Sequence, residues 1–159
     1  MRDEADIVNT MQNHSDSIRR ICFVYLKNHA DTEDVFQDVF LKYALHKKGF
    51  ESEKHVRAWL IRVCINRCKD FLGSAARKNV SIDELYELPS DTRADTRETL
   101  EEVLKLPQNY RTVIYLHYYE GYTAPEIGKL IGKNQNTVYT WLSRARVELK
   151  SRLGGELGE

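Results

Sequence analysis

Near the start of the chain, apolar residues return every three or four places: Ile7, Met11, Ile18, Cys22 and Tyr25 stand at spacings of four, seven, four and three. That period predicts a helix from Ile7 to Leu26 with one buried stripe. A second helix is expected to begin near Asp31, where Asp31 and Thr32 can cap free amides and Glu33 and Asp34 suit the positive end of the dipole. Its stripe is Val35, Val39, Phe40 and Tyr43, and Gly49 is expected to close it. A third helix follows from about Glu53 to Leu72, with Val56, Trp59, Leu60, Val63, Cys64 and Phe71 inward.

The periodicity then lapses. Residues 73 to 95 include Gly73, Ser74, Pro89 and Ser90, with only a short apolar patch at Ile82, Leu85, Tyr86 and Leu88, which is the composition of a linker. Helical spacing resumes at Leu100, Val103 and Leu104, stops at Pro107, and continues through Val113, Ile114, Leu116 and Tyr118 until Gly121. Thr123-Ala-Pro-Glu126 reads as a capping box with proline in the first turn. Ile127, Leu130 and Ile131 form the inner face of the helix it starts, Gly132 supplies a turn, and Asn134 can cap a last helix with Val138, Leu142, Ala145 and Leu149 inward.

These elements predict an all-α protein of two small helical modules, a three-helix bundle and a helix-turn-helix, joined by a linker. The expected divisions are residues 1–74, a linker at 75–96, a second module at 97–154 and a tail at 155–159.

The outward positions of the last helix change the picture from architecture to chemistry. Gln135, Asn136, Tyr139, Thr140, Ser143 and Arg144 come first, then Arg146, Lys150 and Arg152. Hydrogen-bonding groups followed by cations suit a recognition helix, whose first turns reach base edges while later cations hold phosphates. An ordinary amphipathic surface helix is the plainer alternative.

Net charge is zero over 159 residues, which by itself speaks against a polyanion as partner. The distribution reverses that. Residues 1 to 46 hold 5 Lys/Arg and 8 Asp/Glu, residues 47 to 78 hold 9 and 3, residues 79 to 110 hold 3 and 8, and residues 111 to 153 hold 7 and 3. Two basic segments flank an acidic one, as expected for two separate contacts with nucleic acid.

No apolar run approaches the roughly 20 residues that a bilayer crossing needs, and the acidic, polar N-terminus is unlike a signal peptide, so a cytoplasmic location is expected. The three cysteines, Cys22, Cys64 and Cys68, form no CxxC pair, and their odd number speaks against a disulfide framework. Cys64 and Cys68, one turn apart, could supply two zinc ligands if His55 or Cys22 completed the set; core packing is the simpler expectation, and no cofactor is expected. His14, His29, His46, His55 and His117 are scattered, without a phosphate loop or nucleophile signature, so no enzyme is expected.

Leu106-Pro-Gln-Asn-Tyr-Arg111, Tyr118-Tyr-Glu-Gly-Tyr-Thr123, Glu126-Ile127-Gly128, Thr137-Val138 and Leu142-Ser-Arg-Ala-Arg146 together resemble region 4 of sigma-70 family RNA polymerase sigma factors. Independently, Asp31-Thr-Glu-Asp-Val-Phe-Gln-Asp-Val-Phe40, then Ala58-Trp-Leu-Ile-Arg62 with Asn66 and Asp70, resemble region 2. The resemblance covers about residues 15 to 153, and neither region 1.1 nor region 3 is recognisable. That layout is similar to the extracytoplasmic-function group.

The resemblance implies a promoter-specificity factor with two partners, core polymerase and promoter DNA. It places Asp34, Gln37, Asp38 and Phe40 against the β′ clamp coiled coil, and the second module near the β flap. It implies that the loop Phe50 to Val56 and the following helix capture the melted minus-10 element, with Asn66 and Asp70 as polar groups and Lys54, Arg57, Arg62, Arg67 and Lys69 around the strand. It assigns minus-35 contacts to Gln135, Asn136, Tyr139, Thr140, Ser143 and Arg144, with Arg111, Lys133 and Arg146 near phosphates. Relatives frequently carry a basic residue where this chain has Tyr139 or Trp141, so the base preference does not transfer. It further implies a monomer when free and an anti-sigma partner.

A DNA-binding regulator that never joins the polymerase would explain residues 123 to 153 equally well, but not the acidic motif or the second basic helix. A helical adaptor would predict no DNA contact.

Overall fold

The computed structural model describes residues 1–77 and 94–154, with only the helical backbone at 75–77 and 94–98. Every described element is helical, and the chain separates into two compact units, Met1–Glu87 and Leu88–Glu159.

The first unit is built from α1 (Glu4–Leu26), α2 (His29–Leu45) and α3 (Glu53–Arg77), each packed on the other two. Because α3 faces two neighbours, its buried arc is wider than one stripe. Leu60, Ile61, Cys64, Ile65 and Cys68 are all fully buried, whereas Val63, Trp59 and Phe71, expected inward, are half-buried. Each full burial of an Ile or Leu contributes about 1.5–3 kcal/mol relative to exposure. Polar ties link the helices at their edges. His14 meets Glu53 at 2.9 Å, and Arg19 meets Glu33 at 2.8 Å while its guanidinium lies 3.9 Å from the Phe36 ring centre.

Several boundaries differ from the sequence expectation. α1 begins three residues early, at Glu4. The cap of α2 is Asn28, whose side-chain oxygen accepts from the Asp31 amide at 2.8 Å, so Asp31 and Thr32 sit inside the helix. α2 ends at Leu45, before Gly49. α3 continues through Arg77 and α4 (Ala94–Leu104) starts at Ala94, so residues 75–77 and 94–96 of the expected linker are helical. The remainder of that linker, with its apolar patch, and the tail at 155–159 lie outside the described residues.

The second unit contains α4, α5 (Gln108–Ile114), a π-helical turn (Tyr115–Tyr119), α6 (Ala124–Ile131) and α7 (Gln135–Arg152). α7 is the shared support, contacting α4, α5 and α6. The single helix expected up to Gly121 is instead α5 plus the π turn, in which the Glu120 amide donates to the Tyr115 carbonyl at 3.2 Å. The wider turn rotates the register, so Tyr118 is exposed, not buried, while Tyr115 and Leu116 stay inside.

Candidate nucleic-acid interface

The helix-turn-helix follows from four local devices. The Thr123 hydroxyl accepts from the Glu126 amide at 3.3 Å, and the Glu126 carboxylate accepts from the Thr123 amide at 2.9 Å, a complete capping box. Gly132 ends α6 with φ of 73°, a conformation that favours glycine. The Lys133 amide donates back to the Gly128 carbonyl at 2.9 Å, which folds the turn so tightly that a Cβ on Gly128 would stand 2.6 Å from the Lys133 carbonyl oxygen. Asn134 then caps α7, accepting from the Asn136 amide at 2.7 Å.

The result fixes which face of α7 is outward. Val138, Leu142, Ala145 and Leu149 are buried, as expected, and Gln135, Asn136, Tyr139, Thr140, Ser143, Arg144 and Arg146 are exposed. Asn136, Thr140, Ser143 and Val147 recur at helical spacing along the middle of that face, with Arg144 beside them. Arg146 lies at its edge, where its Nε donates to the Tyr118 hydroxyl and its guanidinium is 5.6 Å from that ring. An open groove of about 490 Å³ runs along α6 and the turn to the start of α7, lined by Pro125, Gly128, Lys129, Lys133, Asn134 and Asn136 among others. The start of α7 with Lys129 and Lys133 makes an anion-attracting surface there.

In the first unit, Arg62, Asn66 and Lys69 are exposed and follow one another along a single face of α3. Lys54 and Asp70 are also exposed, and Arg57 and Arg67 are half-buried. At the start of α3, four rings gather around the preceding loop. Trp59 lies 4.7 Å from His46, 5.6 Å from Phe50 and 6.1 Å from Tyr43. Trp59, expected inward, is thus a half-buried member of an aromatic cluster.

Arg2 holds that cluster from behind, and nothing in the sequence pattern marks it. Its Nε donates to the Tyr43 carbonyl at 3.1 Å, another nitrogen to the Lys48 carbonyl, and the guanidinium lies 4.4 Å from the Tyr43 ring centre and 5.0 Å from that of Phe50. Arg2 also pairs with Asp6 at 3.0 Å, whose carboxylate accepts from the Tyr43 hydroxyl at 2.8 Å. That Tyr43 hydrogen bond, helped by Arg2, holds the Asp6 carboxyl below its ordinary value, and burial pushes the Tyr43 hydroxyl up.

Two family models match the chain in order: Sigma-70 region 2 over residues 10–78 and Sigma-70, region 4 over residues 96–149. The chain belongs to the sigma-70 family of RNA polymerase sigma factors. It is 28% identical to RNA polymerase sigma factor SigV of Bacillus subtilis, over 96% of this chain and 94% of that protein, and 26% identical to the ECF RNA polymerase sigma factor SigW of the same organism, over 94% and 88%. In fold it is similar to the sigma factor RpoE solved with the anti-sigma factor NepR from Bartonella quintana, with a TM-score of 0.82 and 20% identity, over 96% of this chain and 99% of that one. It is also similar to CnrH solved with the cytosolic domain of CnrY, at 0.67 and 24%, over 98% and 92%. These relatives place it in the extracytoplasmic-function group. Sigma factors confer promoter-specific initiation on RNA polymerase and are not themselves catalysts.

Within region 2 of this sigma factor, Asp34, Gln37 and Asp38 are exposed on α2, but Phe40 is a core residue at 4% exposure, packed 4.9 Å from Phe36. Phe40 therefore supports the acidic face from below and presents no surface of its own. In region 4, Arg111 is likewise buried, at 6% exposure, with its guanidinium donating to the Leu106 carbonyl at 3.1 Å. It secures the turn between α4 and α5, and this burial runs against the phosphate contact that the resemblance implied for it. Lys133 remains exposed in the turn. No helix among the described residues is long and apolar enough to cross a membrane.

Proposed function

We propose that region 4 of this sigma factor holds duplex minus-35 DNA through α7, while region 2 captures an opened minus-10 strand along α3 and the aromatic cluster. Core polymerase supplies the geometry that links them. The observation that carries this reading is the outward face of α7, where Asn136, Thr140, Ser143 and Arg144 stand exposed behind a capped, glycine-tightened turn. Such a face suits direct readout in the major groove. On α3, Asn66 reads an unstacked base while Arg62 and Lys69 neutralise the backbone beside it.

Asp34, Gln37 and Asp38 dock on the β′ clamp coiled coil, where an acidic face complements a basic partner; region 4 docks on the β flap. The free protein is a cytoplasmic monomer with weak promoter affinity, held in check by an anti-sigma protein, and it serves a stress or envelope-response regulon.

The test adds the purified chain to core polymerase with a promoter library. Specific initiation, absent when either component is omitted, is expected. A shift of promoter DNA by the chain alone, with no initiation when core enzyme is present, would replace this reading with that of an independent regulator.

A further inference from the structure

The promoter reading proposed above makes no use of Cys22, Cys64 and Cys68, yet their sulfur atoms converge inside region 2. Cys64 and Cys68 stand one turn apart on α3, Cys22 faces them from α1, and all three are fully buried. The Cys22 and Cys64 sulfurs are 3.2 Å apart, and all three lie within 4.8 Å of one another. Three sulfurs so close can share one soft, three-coordinate centre.

The charge of the centre decides its class. The flanking residues of α3, Leu60, Ile61 and Ile65, are fully buried, and the Cys64 sulfur lies 3.9 Å from the Ile18 carbonyl; a net charge left in such a buried place is costly. Three thiolates around a monovalent or divalent ion would leave two or one negative charges unbalanced, and tetrahedral zinc would also want a fourth ligand, which no His, Cys, Asp or Glu among the described residues adds to this group. Three thiolates around a trivalent centre leave none.

We infer that Cys22, Cys64 and Cys68 form a binding site for a trivalent, thiophilic centre of the arsenic(III) type, which on binding ties α1 to α3. Arsenous acid, As(OH)₃, exchanges its three hydroxyls for three thiols. Three As–O bonds break, three As–S bonds form, the thiol protons leave as three waters, and no atom changes oxidation state. Because the sulfurs are inaccessible, uptake waits on local opening of region 2 and is slow.

The site is independent of how the protein reads promoters, and its test uses the full reduced chain with arsenite. Intact-mass spectrometry is expected to show one arsenic added with three hydrogens lost, and all three cysteines protected from alkylation after brief denaturation. The melting temperature of region 2 should rise, because a preformed site binds the folded state in preference to the unfolded one. Cys22→Ala, Cys64→Ala and Cys68→Ala should each lose stoichiometric uptake. Retention of a free, alkylatable Cys68 in the arsenic-loaded chain, or a fall in melting temperature, would overturn the site; the latter would mean that arsenic binds the thiols of the unfolded chain. These readouts on the unaltered protein decide the matter even if a variant fails to fold.

Discussion

Arg67 on α3 donates to Asp38 on α2 at 2.8 Å, joining a cation of the basic segment to the acidic face proposed to dock on core polymerase. Both side chains are more than 40% exposed, and such pairs contribute only about 0–1 kcal/mol to stability. Arg67→Gln is therefore expected to leave the melting temperature of region 2 nearly unchanged. Asp38→Asn is expected to do the same while weakening association with core polymerase, read as the concentration of sigma factor needed for half-maximal initiation. A large drop in melting temperature for either variant would show the pair to be structural.

The close approach of Lys133 to Gly128 makes a sharper statement about stability. A methyl group on Gly128 meets a backbone carbonyl at 2.6 Å, which cannot swing aside as a side chain can. Gly128→Ala is expected to cost region 4 about 1–3 kcal/mol, the usual range for overpacking, and to spoil the presentation of α7. Thermal unfolding monitored by Trp141 in a Trp59→Phe background would isolate region 4. An unchanged transition would mean that the turn is looser than its geometry indicates.

The helix-turn-helix was the most legible part of the chain because its signals are local. The Thr123/Glu126 box, the Gly132 turn, the Asn134 cap and the four inward residues of α7 are each encoded within a few neighbouring positions. Burial that depends on a second or third helix was not legible. Ile61 and Ile65 fall outside a single stripe and are buried only because α3 packs on both α1 and α2. Arg111 sits at a position a family motif marks, and only the packed structure shows that it faces inward; at Phe40 the helical stripe and the motif pointed opposite ways, and the structure follows the stripe. Asn28, Asp31 and Thr32 all favour a helix start, so composition alone could not choose the first. Arg2 reaches Lys48 across 46 residues, a contact that no periodicity encodes.

That N-terminal clasp gives region 2 a pH dependence. Asp6 has a folded-state value held below the ordinary aspartate value of about 3.9 by the Tyr43 hydrogen bond and Arg2. A depressed folded value means that the unfolded chain binds the proton first. The stabilisation is therefore complete at neutral pH and is lost as the pH falls below the ordinary value and through the folded one. Asp6→Asn should be less stable than the unaltered protein at pH 7, and the gap should close in acid. Urea midpoints measured at several pH values check this; a gap independent of pH would assign Asp6 no titrating role.

Arg144 and Arg146 stand two residues apart but in different settings, and this separates their expected effects. Arg144 flanks the middle of the exposed face of α7, the face proposed to read base edges, whereas Arg146 is held at the margin by Tyr118. Arg144→Ala should relax specificity at one minus-35 position and cost about 1–3 kcal/mol of discrimination there, the range for a bidentate base contact. Arg146→Ala should weaken binding to all promoters alike and reduce the salt slope by about one phosphate contact. Tyr118→Phe removes the hydroxyl that orients Arg146 and should reproduce part of that uniform loss without altering base preference. Holoenzyme footprints on promoters varied at each minus-35 position, taken at two salt concentrations, distinguish the cases. If Arg144→Ala leaves minus-35 protection intact, α7 does not read DNA through this face.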